Sequence, residues 1–133
     1  MSRDVELVRR ALSARRSEFE DILDPHVRLD LSERVFNPEV YEGYDGIMRW
    51  RAEVGDVWEF YRSEPQQFFD GDGVVVVFTG ERARGKGSGV TVDRLTALLC
   101  RLRAGRVSEI RLYDDRARAL RDAGLAPRGN PRT

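Results

Sequence analysis

Residues 89–125, GVTVDRLTALLCRLRAGRVSEIRLYDDRARALRDAGL, decide the fold. The spacing predicts a long strand over 90–103, a turn at Ala104-Gly105, a strand over 107–113 and a short helix from Arg116 to Ala123. Asp115 has the side chain to cap that helix, and Gly124 ends it in the left-handed conformation glycine tolerates. In the first strand Leu95, Ala97 and Leu99 share one face, and Thr96, Leu98, Cys100 and Leu102 share the other. A sheet wet on one side alternates more cleanly. One face is therefore expected to meet helices and the other to be at least partly covered, most simply by a second copy of the chain.

Working towards the amino terminus, Val74 to Thr79 is a β-branched run behind the turn signal Asp70-Gly71-Asp72-Gly73, with Gln67-Phe68-Phe69 leading into it, which gives a hairpin. A glycine-rich loop, Gly85 to Gly89, joins this hairpin to the opening stretch. Further back, Val5, Val8, Ala11 and Leu12 recur at helical spacing between Arg3 and Arg16. Ser17 can cap a second helix carrying Phe19, Ile22 and Leu23, which Asp24-Pro25 stops, and a strand follows over about 26–31. Residues 32–44 read as irregular. Asp45 can then cap a third helix with Ile47, Trp50, Val54, Val57, Trp58 and Tyr61 on one side, which Gly55 weakens or ends early. The expected organisation is one domain over 1–125 with a disordered tail over 126–133.

Composition narrows the class. A chain of 133 residues is long enough to bury roughly two thirds of its unfolded surface, so no staple is required. Its 23 basic and 23 acidic residues are interspersed, which argues against a nucleic-acid or membrane-surface partner. Only Lys86 among the basic residues is lysine, a bias better explained by genome composition than by forked recognition at every arginine. The single cysteine, Cys100, cannot form an internal disulfide and reads as a small buried hydrophobe. With no apolar amino-terminal run, the expected compartment is the cytoplasm. The single histidine, His26, excludes a histidine metal cluster and a serine–histidine triad, and no metal or cofactor is expected. Gly80 to Gly87 follows phosphate-loop spacing until Gly87 stands where a hydroxyl is needed; with no helix following, it reads as a hairpin loop.

Several local patterns carry a resemblance: Val5-Glu6-Leu7-Val8-Arg9-Arg10-Ala11-Leu12, Leu23-Asp24-Pro25-His26-Val27, Tyr41-Glu42-Gly43-Tyr44-Asp45-Gly46-Ile47, Arg101-Leu102-Arg103-Ala104-Gly105-Arg106-Val107, and Tyr113-Asp114-Asp115-Arg116-Ala117-Arg118-Ala119-Leu120. In that order and spacing, over roughly 4–125, the chain resembles the SnoaL-like polyketide cyclase branch of the nuclear transport factor 2-like superfamily. The resemblance implies an α+β fold. A cone-shaped, curled mixed or antiparallel sheet wraps three amino-terminal helices, with a short carboxy-terminal helix, an apolar cavity at the open end and frequent homodimers through the sheet. The fold hosts isomerases, cyclases, epoxide hydrolases, dehydratases and non-catalytic binders, so it does not fix a reaction.

Set against that family, Asp30 is the candidate acid or base of the first strand, although alignment on Asp24-Pro25 places Leu29 at that position as naturally. Leu112 stands where the epoxide hydrolases carry an acid, while Asp114 can reach the cavity rim and Asp115 reads as a cap. Asp93 and Arg94 are strand neighbours facing opposite ways, so they cannot act together on one water. Arg94, Arg111 and Tyr113 are candidate ligand contacts, with an inter-strand ion pair of Arg111 to Asp93 or Glu109 as the alternative. Tyr41, Trp50 and Trp58 are candidate cavity aromatics. The function implied is binding of a small apolar or aromatic molecule; if the chain is an enzyme, the expected chemistry is cofactor-independent acid/base catalysis by Asp30 or Asp114, and the alternative is a non-catalytic carrier or dimeric assembly module.

Overall fold

The decisive stretch folds as read: β5 spans Thr91–Arg103, β6 spans Arg106–Tyr113 and α4 spans Arg116–Asp122. Ala104 (φ 53°) and Gly105 (φ 77°) make the tight left-handed turn between the strands, and the Asp115 side chain accepts the Arg118 amide at 3.1 Å, capping α4. The computed structural model describes residues 2–34 and 38–125, so the tail from Ala126 onward lies outside the described residues.

Before these come α1 (Arg3–Ala11), a 3₁₀ turn (Arg16–Glu18), α2 (Phe19–Ile22), β1 (Leu23–Asp30), β2 (Val40–Glu42), α3 (Gly43–Val57), β3 (Trp58–Asp70) and β4 (Val74–Gly85). Ser2 caps α1 by accepting the Val5 amide at 3.0 Å, while Asp4 and Glu6 in the first turn and Arg9 and Arg10 in the last complement its dipole. Helix α1 ends five residues before Arg16, because Ser13 and Ala14 donate back to Arg10 and Ala11 and Ala14 turns into the core. Pro25 does not merely stop α2. It lies within β1, where the Asp24 carboxylate accepts the His26 amide at 2.7 Å and pairing with β6 shifts register between Leu23 and Arg28.

The six described strands form one mixed sheet in the order β2-β1-β6-β5-β4-β3, with β1 and β6 parallel and the other pairs antiparallel. Helix α3 packs on β1 and β2 at one edge and on β3 at the other. A flat sheet could not meet one helix at both ends, so the sheet curls around it without closing. On the inner face, Val5, Val8, Phe19 and Ile22 pack with Val75, Val77, Cys100, Ile110 and Leu112. The outer face carries Val74, Val76, Ala97, Leu99 and Tyr113, covered by Ala119 and Leu120 of α4. Leu99 is 1% exposed, so the cover that the sequence suggested a second copy would provide comes here from the chain's own last helix. Among the described residues no helix is long and apolar enough to cross a membrane.

The boundary between α3 and β3 differs from the sequence reading. Helix α3 starts at Gly43, which has φ +74°, rather than at Asp45, and stops at Val57 rather than running to Tyr61. Trp58 and Tyr61, three apart, look helical. They share a face because a register shift between Trp58 and Phe60 inserts the extra residue that a plain strand lacks. The segment 80–85 read as loop is also strand, its residues 80–84 pairing with Leu95 to Thr91.

Candidate functional site

Strand parity decides what enters the curl. Pairing couples Val75 with Cys100, Val77 with Leu98, Thr79 with Thr96, Glu81 with Arg94 and Ala83 with Val92, so these pairs share the inner face. Continuing across the sheet, Leu98 faces Leu112, and Ile110 faces Leu29 of β1. Ser63 and Tyr61 of β3 oppose Glu81 and Ala83. Between this face and α3 lies a cavity of about 320 Å³, mostly apolar, lined among others by Leu29, Leu31, Ile47, Val54, Leu98 and Leu112. Its size lies at the lower end of small-molecule pockets.

One polar chain crosses its wall. The Tyr61 hydroxyl donates to Glu81 Oε2 at 2.7 Å, and Arg94 donates to Glu81 Oε1 from Nε at 3.3 Å and from Nη2 at 3.2 Å. Both carboxylate oxygens are thus occupied. The Arg94 Nη2 also lies 3.5 Å from Asp114 at the rim, linking the partly buried Glu81 carboxylate, 12% exposed, to one 47% exposed. Burial, reinforced by the charge of Glu81 and the hydrogen bond to it, drives the Tyr61 phenol far above its usual range, so it remains a neutral donor.

A second set stands on the helix side. Tyr41 donates to Glu53 Oε1 at 2.6 Å, and Arg49 bonds the other Glu53 oxygen at 3.1 Å while pairing with Glu39 at 2.7 Å. Burial first, then the bond to Glu53, raises the Tyr41 phenol, and the same bond lowers the Glu53 carboxyl. Trp50 stands edge-on to Tyr61 with ring centroids 6.4 Å apart, and its buried indole N–H has no hydrogen-bond partner among the described residues.

Of the side chains singled out in the sequence, Tyr41, Trp50, Trp58 and Arg94 line the cavity, while Asp114 reaches it only through Arg94. Asp30, Arg111 and Tyr113 do not. In β1 and β6 they occupy the alternate positions, pairing as Asp30 with Arg111 and Tyr113 with Ala97, so they face outward. Asp30 accepts the Ser32 amide at 2.9 Å and its hydroxyl at 2.6 Å. Burial would raise its pKa, but these bonds together with Arg111 and Arg28 outweigh it and leave the carboxyl lowered. Arg111 pairs at 4.0 Å with Asp30 and 3.5 Å with Glu33, neither of the partners the sequence suggested. At 4.0 Å no hydrogen bond forms, and the buried Nε of Arg111 has no such partner among the described residues. Tyr113 donates to Asp122 at 2.7 Å. Asp93 faces outward to Arg82 at 3.4 Å.

Sequence reasoning missed Tyr61, Glu81 and Glu53. Two-residue alternation from Val75 and Val77 points to Glu81, but the glycine-bounded stretch from Gly80 to Gly87 reads as a hairpin loop and hides it. Burial of Cys100 pushes its thiol up to about 12, which makes it an inert part of the inner core.

Compared as a sequence, the chain matches no protein-family model and no curated protein. Compared as a fold, it is similar to a putative SnoaL-like polyketide cyclase from Jannaschia sp. CCS1, at 21% identity and a TM-score of 0.70, covering 95% of this chain and 94% of that one. It is also similar to a nuclear transport factor 2-like protein from Burkholderia thailandensis, at 14% identity and 0.73, covering 92% and 94%. A third similar structure is TerC co-crystallised with polyporic acid, at 19% and 0.68, covering 92% and 98%. The chain therefore has the nuclear transport factor 2-like fold, in agreement with the resemblance read in the sequence.

Proposed function

We infer that this nuclear transport factor 2-like domain binds a small, ring-bearing, largely apolar molecule between α3 and the inner face of the sheet. The observation that carries this reading is an apolar cavity of about 320 Å³ crossed by one polar chain, Tyr61–Glu81–Arg94. Such a lining takes up a hydrophobic body and orients it through one polar group. TerC, a protein of similar fold, was co-crystallised with polyporic acid, a precedent for a small-molecule occupant.

A second reading, cofactor-independent acid/base catalysis of the isomerase or cyclase type, draws on the same residues. Tyr61, kept neutral, would turn its single O–H from Glu81 to a developing enolate, and Glu81 would take the proton. Binding is the better supported of the two, because both oxygens of Glu81 already accept hydrogen bonds from Tyr61 and Arg94, so neither is left open towards a substrate proton. Leu29 and Leu112, which line the cavity at positions where the family resemblance implies acids, are apolar.

The test uses the neutral fluorescent ketone 6-propionyl-2-(dimethylamino)naphthalene. Both tryptophans line the cavity, so saturable binding of one probe per chain should blue-shift its emission and quench that of Trp50 and Trp58. The Ala83→Trp variant, with an indole filling the cavity, should keep a cooperative melt and lose the probe. Absence of binding by the wild type, or unchanged binding by the filled variant, contradicts the reading.

We also propose a homodimer through the part of the outer face that α4 leaves bare. Leu95, 62% exposed, and Phe60, 40% exposed, lie there.

A further inference from the structure

Five charged side chains line the cavity: Arg34, Arg51 and Arg94 against Glu53 and Glu81. Arg94 is matched by Glu81, and Glu53 lies in the field of Arg34 and Arg49. The remaining carboxylates of these networks, Glu39 and Asp114, stand at the surface with 41% and 47% exposure, where solvent screens them. Arg51 has no such match. Its guanidinium forms no ion pair among the described residues; its contacts are the Ala14 carbonyl, 2.6 Å from Nη2, and the Phe19 ring, 5.2 Å away. One N–H of five is used on protein, and the group is half-buried beside an apolar hollow.

A partly desolvated guanidinium with four open donors is costly beside hydrocarbon unless an anion or water takes them. Its planar fork fits a two-oxygen acid. The carbonyl of Ala14 fixes one arm, and Phe19 supports the plane, so the fork is held before any ligand arrives.

We propose that the molecule bound in this cavity is a monoanion, an oxyacid on an apolar ring body, and that Arg51 receives its anionic oxygens. This rests on the reading of the cavity as a ligand site and adds the charge class of the occupant. The Tyr61–Glu81–Arg94 chain is already neutralised within itself and serves an uncharged oxygen of the same molecule, which leaves Arg51 as the determinant of charge selectivity.

The experiment compares 6-methoxy-2-naphthoate with 6-methoxy-2-naphthamide by calorimetric titration at pH 7.5, using the full chain, with the neutral naphthyl ketone as a separate probe of cavity binding. In the wild type the carboxylate should bind at least tenfold more tightly than the amide, and the advantage should shrink with added salt. In Arg51→Met the advantage should vanish while amide affinity is retained, and Arg51→Lys should keep part of it. The wild-type comparison needs no variant, so a misfolded variant leaves the test intact. Equal affinity for carboxylate and amide, with the ketone still bound, overturns the anion assignment and spares the cavity reading. A preference that survives in folded Arg51→Met also overturns it. If none of the three probes binds, the cavity reading fails and the charge assignment with it.

Discussion

Glu81 shows how one residue ties the site together, since its carboxylate is the shared acceptor of Tyr61 and Arg94. Glu81→Ala leaves a buried phenol and a partly buried guanidinium without their acceptor. Urea denaturation should show a loss of about 1–3 kcal/mol, the cost of leaving such groups unsatisfied. Glu81→Gln, which can still accept from one partner, should lose less, and no loss in either variant would mean that the chain does not hold the wall. Tyr113 gives a pH signature on the other face. Burial, then the bond to Asp122, raises its phenol to about 12. The unfolded chain ionises near the ordinary value of about 10, so the tyrosine's contribution is complete below that pH and is lost as the pH rises towards the folded value. Stability should therefore fall between about pH 10 and 12, and Tyr113→Phe should flatten that part of the profile if thermal melts are followed across it. At this scale the sequence was a partial guide. Tyr41, Trp50, Trp58 and Arg94 could be named because aromatic and arginine residues among apolar neighbours stand out. Which face Asp30, Arg111 and Tyr113 take depends on strand parity, and β1 carries a register shift that sequence does not reveal.

Elements were legible where turns are made by residues with few alternatives. Ala104-Gly105 and Asp115 place β5, β6 and α4 to within a residue or two, because a two-residue hairpin and a helix cap each have strong local chemistry. The end of α3 was not legible: a bulged strand and a helix both set Trp58 and Tyr61 on one face, and only the long pairing of β3 with β4 chooses between them. The corner entering α3 makes a separate prediction. Gly43 sits at φ +74°, and a Cβ there would meet only the Pro25 carbonyl, at an ordinary 3.5 Å. Gly43→Ala should therefore cost about 1–2 kcal/mol from backbone strain alone, read as a lower urea midpoint at unchanged slope. An unshifted midpoint would show that the corner adopts another conformation.

For the whole molecule, the curl of the sheet follows from α3 meeting both of its edges, and it creates the cavity and an uncovered outer patch together. The sequence indicated that both faces of β5 and β6 are covered but could not say by what. Helix α4 covers Leu99 and Tyr113, whereas Leu95 and Phe60 remain open. Leu95→Glu should thus convert a dimer into a monomer in sedimentation equilibrium without lowering the melting temperature appreciably; a wild type already monomeric at high concentration would rule out that interface. The account stands or falls on occupancy of the cavity, and the crystal structure of the complex with 6-propionyl-2-(dimethylamino)naphthalene tests it most directly. The account predicts the naphthalene between Trp50, Trp58 and Leu98, with the ketone oxygen within hydrogen-bond distance of Arg94. A probe seated on the outer face, with the space between α3 and the sheet closed or empty, would contradict it.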